Sequence, residues 1–346
     1  MTRRLALLPL GFALACGGGR KLDTAPCEDR FAEAVTSTCS VPAWEDRDYD
    51  VVLPDGYDGS TPIPVVVAFH GGGGNRVKAA RTTCPTGDVR EEDCLHELGR
   101  REGFAVVYPD GVPGKGLLKE SRSWNAGGGL GNWRCTGGVA CEEDRDDVRY
   151  VRAMLDDLER RVAVDTDRIY ATGLSNGGAI SHRLACEASD RFAAIAPIGG
   201  AMQLTTSDVC EPERAVPVLH IHGTDDPCWV YDGGPADCPI GGKGKEFVSV
   251  ERTMDEWAAI NGCSDEIVTA SVPDRRDDGT TTERQTWSDC QATTEHLRIA
   301  GGGHLWPDGH QYLGEGIVGV TPRDWGNEVI WAFFEAHPMP EVGSDR

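Results

Sequence analysis

Residues 168–178 read Arg-Ile-Tyr-Ala-Thr-Gly-Leu-Ser-Asn-Gly-Gly, a short apolar run followed by a serine that stands among glycines. The run 168–172 favours a β-strand, and the segment 176–188 has the character of a helix. The residues between them match G-x-S-x-G, the pattern of a sharp strand-to-helix turn that exposes its serine. Glycines on both sides of Ser175 suit a turn too tight for larger side chains. The stretch therefore predicts a nucleophile elbow with Ser175 at its tip.

Apolar strand signals and amphipathic helix signals alternate on both sides of this turn. Val148, Val151, Leu155, Leu158 and Val162 form one apolar stripe on an otherwise charged segment, which predicts a helix. Near-continuous apolar strands that alternate with helices indicate an α/β protein with a mostly parallel central sheet and helices on both faces. The predicted strands are 50–53, 63–69, 104–108, 168–172, 192–198, 216–221, 282–287 and 295–299, and the other predicted helices are 176–188, 247–260 and 326–336.

The N-terminus has the pattern of an export signal. Basic residues at 3 and 4 precede the apolar run 5–15, which is too short to span a bilayer but suits the core of a signal peptide. Because the run ends at Ala15-Cys16, residues 1–16 resemble a bacterial lipoprotein signal in which Cys16 carries the lipid, with plain secretion as the alternative. We expect residues 17–45 to be a linker or N-terminal extension and residues 46–346 to be one catalytic domain. The expected location is the cell envelope or the extracellular space.

Composition and charge exclude several classes of protein. The chain has 346 residues, with 34 Lys and Arg against 56 Asp and Glu, and its formal net charge is −22. A nucleic-acid partner needs a basic face, so this charge argues against one, and it equally disfavours binding to an anionic membrane surface. We therefore expect contact with a membrane only through an N-terminal lipid anchor. A charged fraction of 26% and a mean hydropathy of −0.36 exclude a membrane bundle.

Thirteen cysteines point to an oxidising compartment. Without Cys16 they number twelve, and local pairing into six disulfides is the simplest arrangement. The spacing Cys-x2-Cys is absent from the sequence, so we expect the cysteines to hold no metal. The predicted pairs are Cys27 with Cys39, Cys84 with Cys94, Cys135 with Cys141, Cys186 with Cys210, Cys228 with Cys238, and Cys263 with Cys290.

A serine nucleophile requires a base and a carboxylate that orients the base. In elbow proteins of this kind the chain order is Ser, Asp or Glu, His. Asp225 and Asp226 follow the predicted strand 216–221, and either could be the acid. His304 lies on a glycine-rich loop directly after the predicted strand 295–299 and is the favoured base, while His310 is the second choice.

Two other features near strand ends bear on this site. The loop His70-Gly71-Gly72-Gly73-Gly74 follows an early strand, so its amides and that of Asn176 are candidates for an oxyanion hole, with His70 in a structural role. His220 and His222 would lie on one face of a strand and could pair on a metal. Because the sequence offers no evident third ligand, packing and turn roles are favoured for both.

Five blocks of the sequence together resemble the family of polyhydroxybutyrate depolymerases and feruloyl esterases, which are secreted α/β-hydrolases. The resemblance implies an α/β-hydrolase fold, with Ser175 as nucleophile, Asp226 as acid and His304 as base. It favours Asp226 over Asp225 as the acid because the family pattern is His-Gly-Thr-x-Asp-Pro. It also implies Gly72 and Asn176 as oxyanion donors and no cofactor. The blocks are 64–72, 122–125, 168–178, 222–227 and 301–307.

The resemblance predicts a serine carboxylesterase but does not rank feruloyl, acetyl-xylan and hydroxybutyrate esters as substrates. Trp124, Trp229 and Trp306 fall in or near the candidate loops, and we expect them to form an aromatic wall for the substrate. Two other functions remain open at this point. One is a non-catalytic surface binding protein on the same fold, and the other is a serine peptidase.

Overall fold

A mixed β-sheet of eleven strands forms the centre of the computed structural model. The structure describes residues 22, 25–27, 36–44, 46–128, 135, 138–206, 208–239 and 244–340, so the predicted signal with Cys16 lies outside the described residues. The strands of the sheet are β1 (Ala25–Pro26), β2 (Thr36–Ser40), β3 (Asp48–Val52), β4 (Ile63–Phe69), β5 (Ala105–Pro109), β8 (Val164–Leu174), β9 (Ala194–Ile198), β10 (Val218–Gly223), β13 (Ile267–Ser271), β14 (Thr281–Trp287) and β15 (Thr294–Ala300). Short two-stranded pairs are formed by β6 (Val112–Pro113) with β7 (Arg122–Ser123) and by β11 (Gly234–Pro235) with β12 (Glu246–Phe247).

The strand order is β1-β2-β3-β5-β4-β8-β9-β10-β15-β14-β13. The six consecutive strands from β5 to β15 run parallel, and antiparallel strands extend the sheet at both sides. Parallel strands place their carboxyl ends at one edge of a sheet. The loops after β4, β8, β9, β10 and β15 therefore meet at the same edge, which is where the sequence analysis places the candidate site.

Helices cover both faces of the sheet, as the alternating pattern predicts. Residues 65, 67 and 69 of β4 belong to one core layer and residues 66 and 68 to the other, as the two-residue period of a strand requires. The helices are α1 (Arg76–Thr82), α2 (Leu95–Glu102), α3 (Val139–Glu142), α4 (Asp147–Arg161), α5 (Asn176–Glu187), α6 (Val250–Ile260), α7 (Glu315–Val318) and α8 (Asn327–Glu335). The first layer packs against α4, α5 and α6 and the second against α1, α2 and α8, which confirms the predicted α/β class.

The segment 17–45, expected to be a linker or extension, contributes strands to the sheet where it is described. β2 pairs with β3 from Thr36 opposite Val52 to Ser40 opposite Asp48, and β1 pairs with β2. Without β2 the outer edge of β3 would leave its backbone groups unpaired. The part of the chain that forms the sheet thus begins before residue 46.

All six predicted disulfides are present, in the predicted pairing. Two of them lie close to the candidate site in the chain. Cys186–Cys210 ties the end of α5 to the loop after β9, and Cys228–Cys238 closes the loop that follows Asp226. Among the described residues, none of the helices combines the length and apolarity needed to cross a bilayer.

Candidate active site

Ser175 stands at the turn between β8 and α5 in a backbone conformation that few residues adopt. Its φ of 62° and ψ of −122° lie in a region that residues other than glycine rarely adopt. Holding a residue there costs about 1–3 kcal/mol of conformational free energy. The surroundings enforce this turn, since the Ser175 amide donates to the Ile198 carbonyl of β9. Gly177 permits it, because a Cβ there would lie 2.2 Å from the Phe69 carbonyl oxygen. The residues around Ser175 therefore form a strained elbow of the predicted kind.

The structure joins Asp226 to His304 across 78 residues of sequence. His304 Nδ1 donates to Asp226 Oδ2 at 2.7 Å, and both side chains are buried. The other carboxylate oxygen, Oδ1, accepts the backbone amides of Cys228 and Trp229, each at 2.7 Å. Burial opposes ionisation, but the charge of His304 and the hydrogen bonds from His222 and His304 hold the pKa of Asp226 below its usual range. Asp226 is therefore an ionised carboxylate fixed against an imidazole.

The neighbouring carboxylate does not reach this imidazole. Asp225 is exposed, and its Oδ1 accepts a hydrogen bond from the Thr224 hydroxyl. His310, the second choice as base, lies over Gly87, where a Cβ would meet its ring at 2.9 Å. Of the alternatives that the sequence leaves open, Asp226 and His304 are the pair that the structure brings together.

Two consecutive glycines after β9 connect this pair to the elbow. A Cβ at Gly199 would lie 3.4 Å from His304 Nδ1 and 3.5 Å from Asp226 Oδ2, while one at Gly200 would lie 2.1 Å from the Ser175 carbonyl oxygen. Serine and imidazole thus flank the same short turn. Within the described chain, the Ser175 hydroxyl does not hydrogen-bond to His304. In enzymes of this kind that bond often forms fully only when a substrate is bound.

The glycine loop after β4 lies beside the elbow. A Cβ at Gly71 would lie 3.4 Å from Ser175 Cβ, and one at Gly72 would lie 3.7 Å from Asn176 Cβ. The amides of Gly73 and Gly74 donate to Arg122 and Gly71, whereas within the described chain no acceptor pairs with the Gly72 amide. The two predicted oxyanion residues, Gly72 and Asn176, are therefore neighbours across the site.

His70 fastens this loop to the rest of the sheet edge. Its Nδ1 donates to the Gly71 carbonyl at 2.8 Å, its Nε2 accepts the Gly111 amide at 2.9 Å, and Trp124 donates to its carbonyl oxygen. Burial lowers the pKa of His70 to about 3, so the ring stays neutral. The structural role expected for His70 agrees with these contacts.

The prediction that three tryptophans form an aromatic wall at the site is wrong, because their side chains are buried. Trp124, Trp229 and Trp306 are 0%, 1% and 2% exposed, so their rings belong to the core and not to an open surface. Trp124 packs edge-on against Phe69, and Trp229 packs against Phe247. An indole gains more from burial of its large apolar face than from exposure at a loop, and its N–H then needs only one partner. Trp306 lines a narrow cavity together with Gly71 and Leu174.

The Trp124 backbone has a role that the sequence analysis missed. Its amide donates to Asn176 Oδ1 at 2.7 Å, and its carbonyl accepts from Asn176 Nδ2 at 3.0 Å. Below the ring, buried Arg47 pairs with Asp147 at 2.6 Å and stacks on Tyr150. In the sequence, only the block 122–125 indicated that the segment around Trp124 belongs to the site. The spacing of Arg47 and Asp147 does not indicate that their side chains pair.

The pair His220 and His222 is buried behind Asp226, with His220 Nε2 3.2 Å from His222 Nδ1. In the described part of the chain, the group of side chains with the spacing of metal ligands is Cys84, Cys94 and His96. Its two cysteines form a disulfide, so they offer no thiolate to a metal.

Comparisons with known proteins give a consistent result. Residues 41–300 match a family model described as "Putative esterase". "Putative esterase NocK" from Nocardia uniformis subsp. tsuyamanensis is 30% identical over 268 residues, which cover 75% of this chain and 70% of NocK. Feruloyl esterase B from Piromyces equi is 27% identical over 263 residues, and the match spans only 42% of its length. The crystal structure of native sOPH shares the fold, with a TM-score of 0.50 at 16% identity over 93% of each chain.

Proposed function

Because the chain belongs to the esterase family, we propose that it is a serine carboxylesterase that works through an acyl-enzyme. The hydrogen bond between His304 and Asp226 supports this most, because it lies at the sheet edge that also carries the Ser175 elbow. A buried imidazole bonded to an ionised carboxylate, next to a serine at a strained turn, is the arrangement that serine hydrolases need.

In the proposed reaction, Ser175 Oγ attacks the ester carbonyl and His304 Nε2 accepts its proton. Asp226 accepts a hydrogen bond from the Nδ1–H of His304, so the lone pair of the neutral ring is on Nε2, and the carboxylate stabilises the imidazolium that forms. The alcohol then leaves with the proton from His304. Water, deprotonated by the same imidazole, cleaves the acyl-enzyme and releases the acid and Ser175.

The negative charge on the carbonyl oxygen would be stabilised by the Gly72 and Asn176 amides. Asn176 is the first residue of α5, where backbone amides point out of the helix and favour an anion. A preorganised donor in such a hole contributes about 3–4 kcal/mol to the barrier. The bonds between Asn176 and the Trp124 backbone support this role, because they fix the start of the helix.

The test of the mechanism is Ser175→Ala. We expect turnover of p-nitrophenyl acetate to fall to the level of the buffer, while the melting temperature stays at or above that of the wild type because strain at a positive φ is unchanged. Ser181→Ala is the matched control: Ser181 lies on the same helix, and its hydroxyl bonds to the Gly177 carbonyl and not to the site. Full activity in Ser175→Ala would refute the proposal. Turnover of anilides at rates comparable with esters would instead favour a peptidase.

For substrate class, we propose feruloyl or acetyl esters of polysaccharides, or hydroxybutyrate oligomers. Relatives named feruloyl esterase and acetylxylan esterase support the first two. Initial rates on methyl ferulate, acetylated xylan and a hydroxybutyrate trimer, measured side by side with one preparation, would rank them. A rate on all three no higher than that of Ser175→Ala would exclude the whole set.

We further propose that the protein is exported and anchored by a lipid on Cys16. Six disulfides support export, since they persist in oxidising compartments. Expression of the full chain in a Gram-negative host with labelled palmitate should label the wild type and not Cys16→Ser. An unlabelled wild type recovered in the medium would favour plain secretion.

A further inference from the structure

Four histidines form a continuous cluster behind the candidate acid. His182 of α5, His220 and His222 of β10 and His296 of β15 are buried, with ring centroids 5.3–5.4 Å apart between His220 and each of the others. Burial lowers the pKa of His182, His220 and His296, so these three rings are neutral. The proposed reaction uses none of the four, and imidazoles so deep in a core require an explanation.

Hydrogen bonds fix where the protons lie on two of these rings. His222 Nε2 is 2.8 Å from the Trp229 carbonyl and 3.3 Å from Asp226 Oδ2. Both are acceptors, so Nε2 carries the hydrogen, and in the tautomer with this one N–H the lone pair is on Nδ1. His220 Nε2 lies 3.2 Å from that Nδ1 and must therefore donate to it. The reverse tautomer of His222 would turn a lone pair toward two oxygens.

We propose that His222 is a positioning residue for the candidate acid: it donates to Asp226 Oδ2, and His220 holds His222 in the tautomer that can do so. This inference rests on the proposed function, in which Asp226 orients the base. The hydrogen-bonded chain then runs from His220 through His222 and Asp226 to His304.

The chain accounts for every acceptor position of the carboxylate. Two backbone amides donate to Oδ1, His304 donates to Oδ2, and His222 Nε2 lies 3.3 Å from Oδ2, so four donor groups face the four acceptor positions of the carboxylate. Donors on Oδ1 alone still tolerate some rotation of the carboxylate about its Cβ–Cγ bond, which moves Oδ2. A second donor at Oδ2 restricts that rotation and keeps the oxygen in line with His304.

Other groups near His222 do not take over this task. The Tyr231 ring packs edge-on against His222 at 5.8 Å, but its hydroxyl bonds to His296. Arg298 is opposite His222 in the strand register, and its guanidinium lies over the Tyr231 ring. Among the described side chains, His222 is the one besides His304 whose donor reaches Asp226.

The test compares His222→Leu with His222→Gln. We expect kcat of His222→Leu to fall by about 10- to 100-fold with KM unchanged, as for a misplaced catalytic group. The acid limb of its kcat/KM profile should move to lower pH, because a displaced carboxylate stabilises the His304 imidazolium less. His222→Gln should recover most of kcat, since its amide can donate at Oδ2.

His296→Leu is the matched control. Its ring is equally buried and touches the same His220, but it bonds to the His220 carbonyl and to Tyr231 and not to the acid. A loss of stability with normal kcat and an unmoved acid limb is expected there. If His222→Leu behaves in the same way, His222 only fills space and the inference is overturned. Should His222→Leu fail to fold, the same criteria apply to His220→Leu.

A measurement that does not use activity separates this inference from the proposed function. Nitrogen-15 NMR of histidine-labelled protein should show protonated Nε2 and unprotonated Nδ1 for His222 and His220 at neutral pH. A protonated Nδ1 on His222 would overturn the inference even in an active esterase, because that nitrogen could not then accept from His220. An inactive wild type with the expected tautomers would instead refute the esterase proposal and leave the hydrogen-bonded chain intact.

Discussion

The two sides of the candidate site are held in place by different means. On the acid and base side, Asp226 and His304 are positioned by polar contacts to the carboxylate, from His304 78 residues away and from the nearby Cys228 and Trp229 amides. On the nucleophile side, Ser175 is positioned by an unusual backbone conformation and by close approaches at Gly177 and Gly200 that leave no room for a Cβ. The first side should therefore be sensitive to a change of chemistry at constant volume, and the second to a change of volume at constant chemistry.

The largest expected effect on the acid and base side is that of Asp226→Asn, which keeps the volume. The Cys228 and Trp229 amides require an oxygen at Oδ1, so the new amide group must point at His304 Nδ1 and force the wrong tautomer. We expect kcat to fall by about 10⁴-fold, with little change in melting temperature. The matched control is Asp225→Asn, which is exposed and should keep its activity. A loss of activity in the control alone would reverse the assignment of the acid.

On the nucleophile side, Gly177→Ala adds one methyl group without changing charge. Its Cβ would lie 2.2 Å from the Phe69 carbonyl oxygen, so β4 and α5 must separate at the elbow. We expect the free energy of unfolding in urea to fall by about 1–3 kcal/mol, together with a loss of activity. Gly316→Ala meets no atom within 4 Å and should change neither. An equally stable and active Gly177→Ala would show that the elbow is less tightly packed than described.

Removal of a disulfide tests whether the acid loop is positioned locally. We expect the double substitution Cys228→Ser with Cys238→Ser to lower the free energy of unfolding by about 2–3 kcal/mol. It should also lower kcat, because the Cys228 amide holds Asp226. The control is the double substitution Cys263→Ser with Cys290→Ser, which removes a disulfide outside the acid loop. It should lower the free energy of unfolding and leave kcat unchanged. Equal kcat values for the two double variants would mean that the loop keeps its shape without the bond.

The buried histidines should also make the stability depend on pH. Burial lowers the pKa values of His70, His182 and His296 to about 3, whereas an unfolded histidine has a pKa of about 6.5. The unfolded chain thus binds more protons below about pH 6.5, and stability should decrease as the pH falls from there toward 5, before carboxylates titrate. In His296→Leu, urea unfolding should give a shallower decrease. An unchanged slope would mean that His296 titrates normally in the folded protein.

The sequence predicted the parallel half of the sheet well, because buried parallel strands are almost continuously apolar. The predicted strand 63–69 coincides with β4, and the apolar stripe 148–162 coincides with α4 within one residue at each end. The edge strand β13 was missed because its side chains are all exposed and carry no apolar alternation. The strand β2 was missed because it contains mostly serine and threonine.

The candidate residues were predicted through their place at strand ends, and their supporting contacts were not. Ser175 and His304 follow apolar strands in glycine-rich loops, which is a local pattern. The contact of His222 with Asp226 depends on how the loop after β10 folds back, and the tryptophans were misjudged because loop position says little about which way a ring points. Contacts of this kind depend on three-dimensional packing and leave no periodic signal.

The central claim, that Ser175 is a nucleophile activated by His304 and Asp226, is tested most directly by covalent labelling. Folded protein is treated with a fluorophosphonate, digested and mapped by mass spectrometry. We predict one stoichiometric adduct on Ser175, formed much more slowly in Asp226→Asn and His304→Ala and at the normal rate in Asp225→Asn. An adduct on another residue, or none while esters are still hydrolysed, would contradict the assignment.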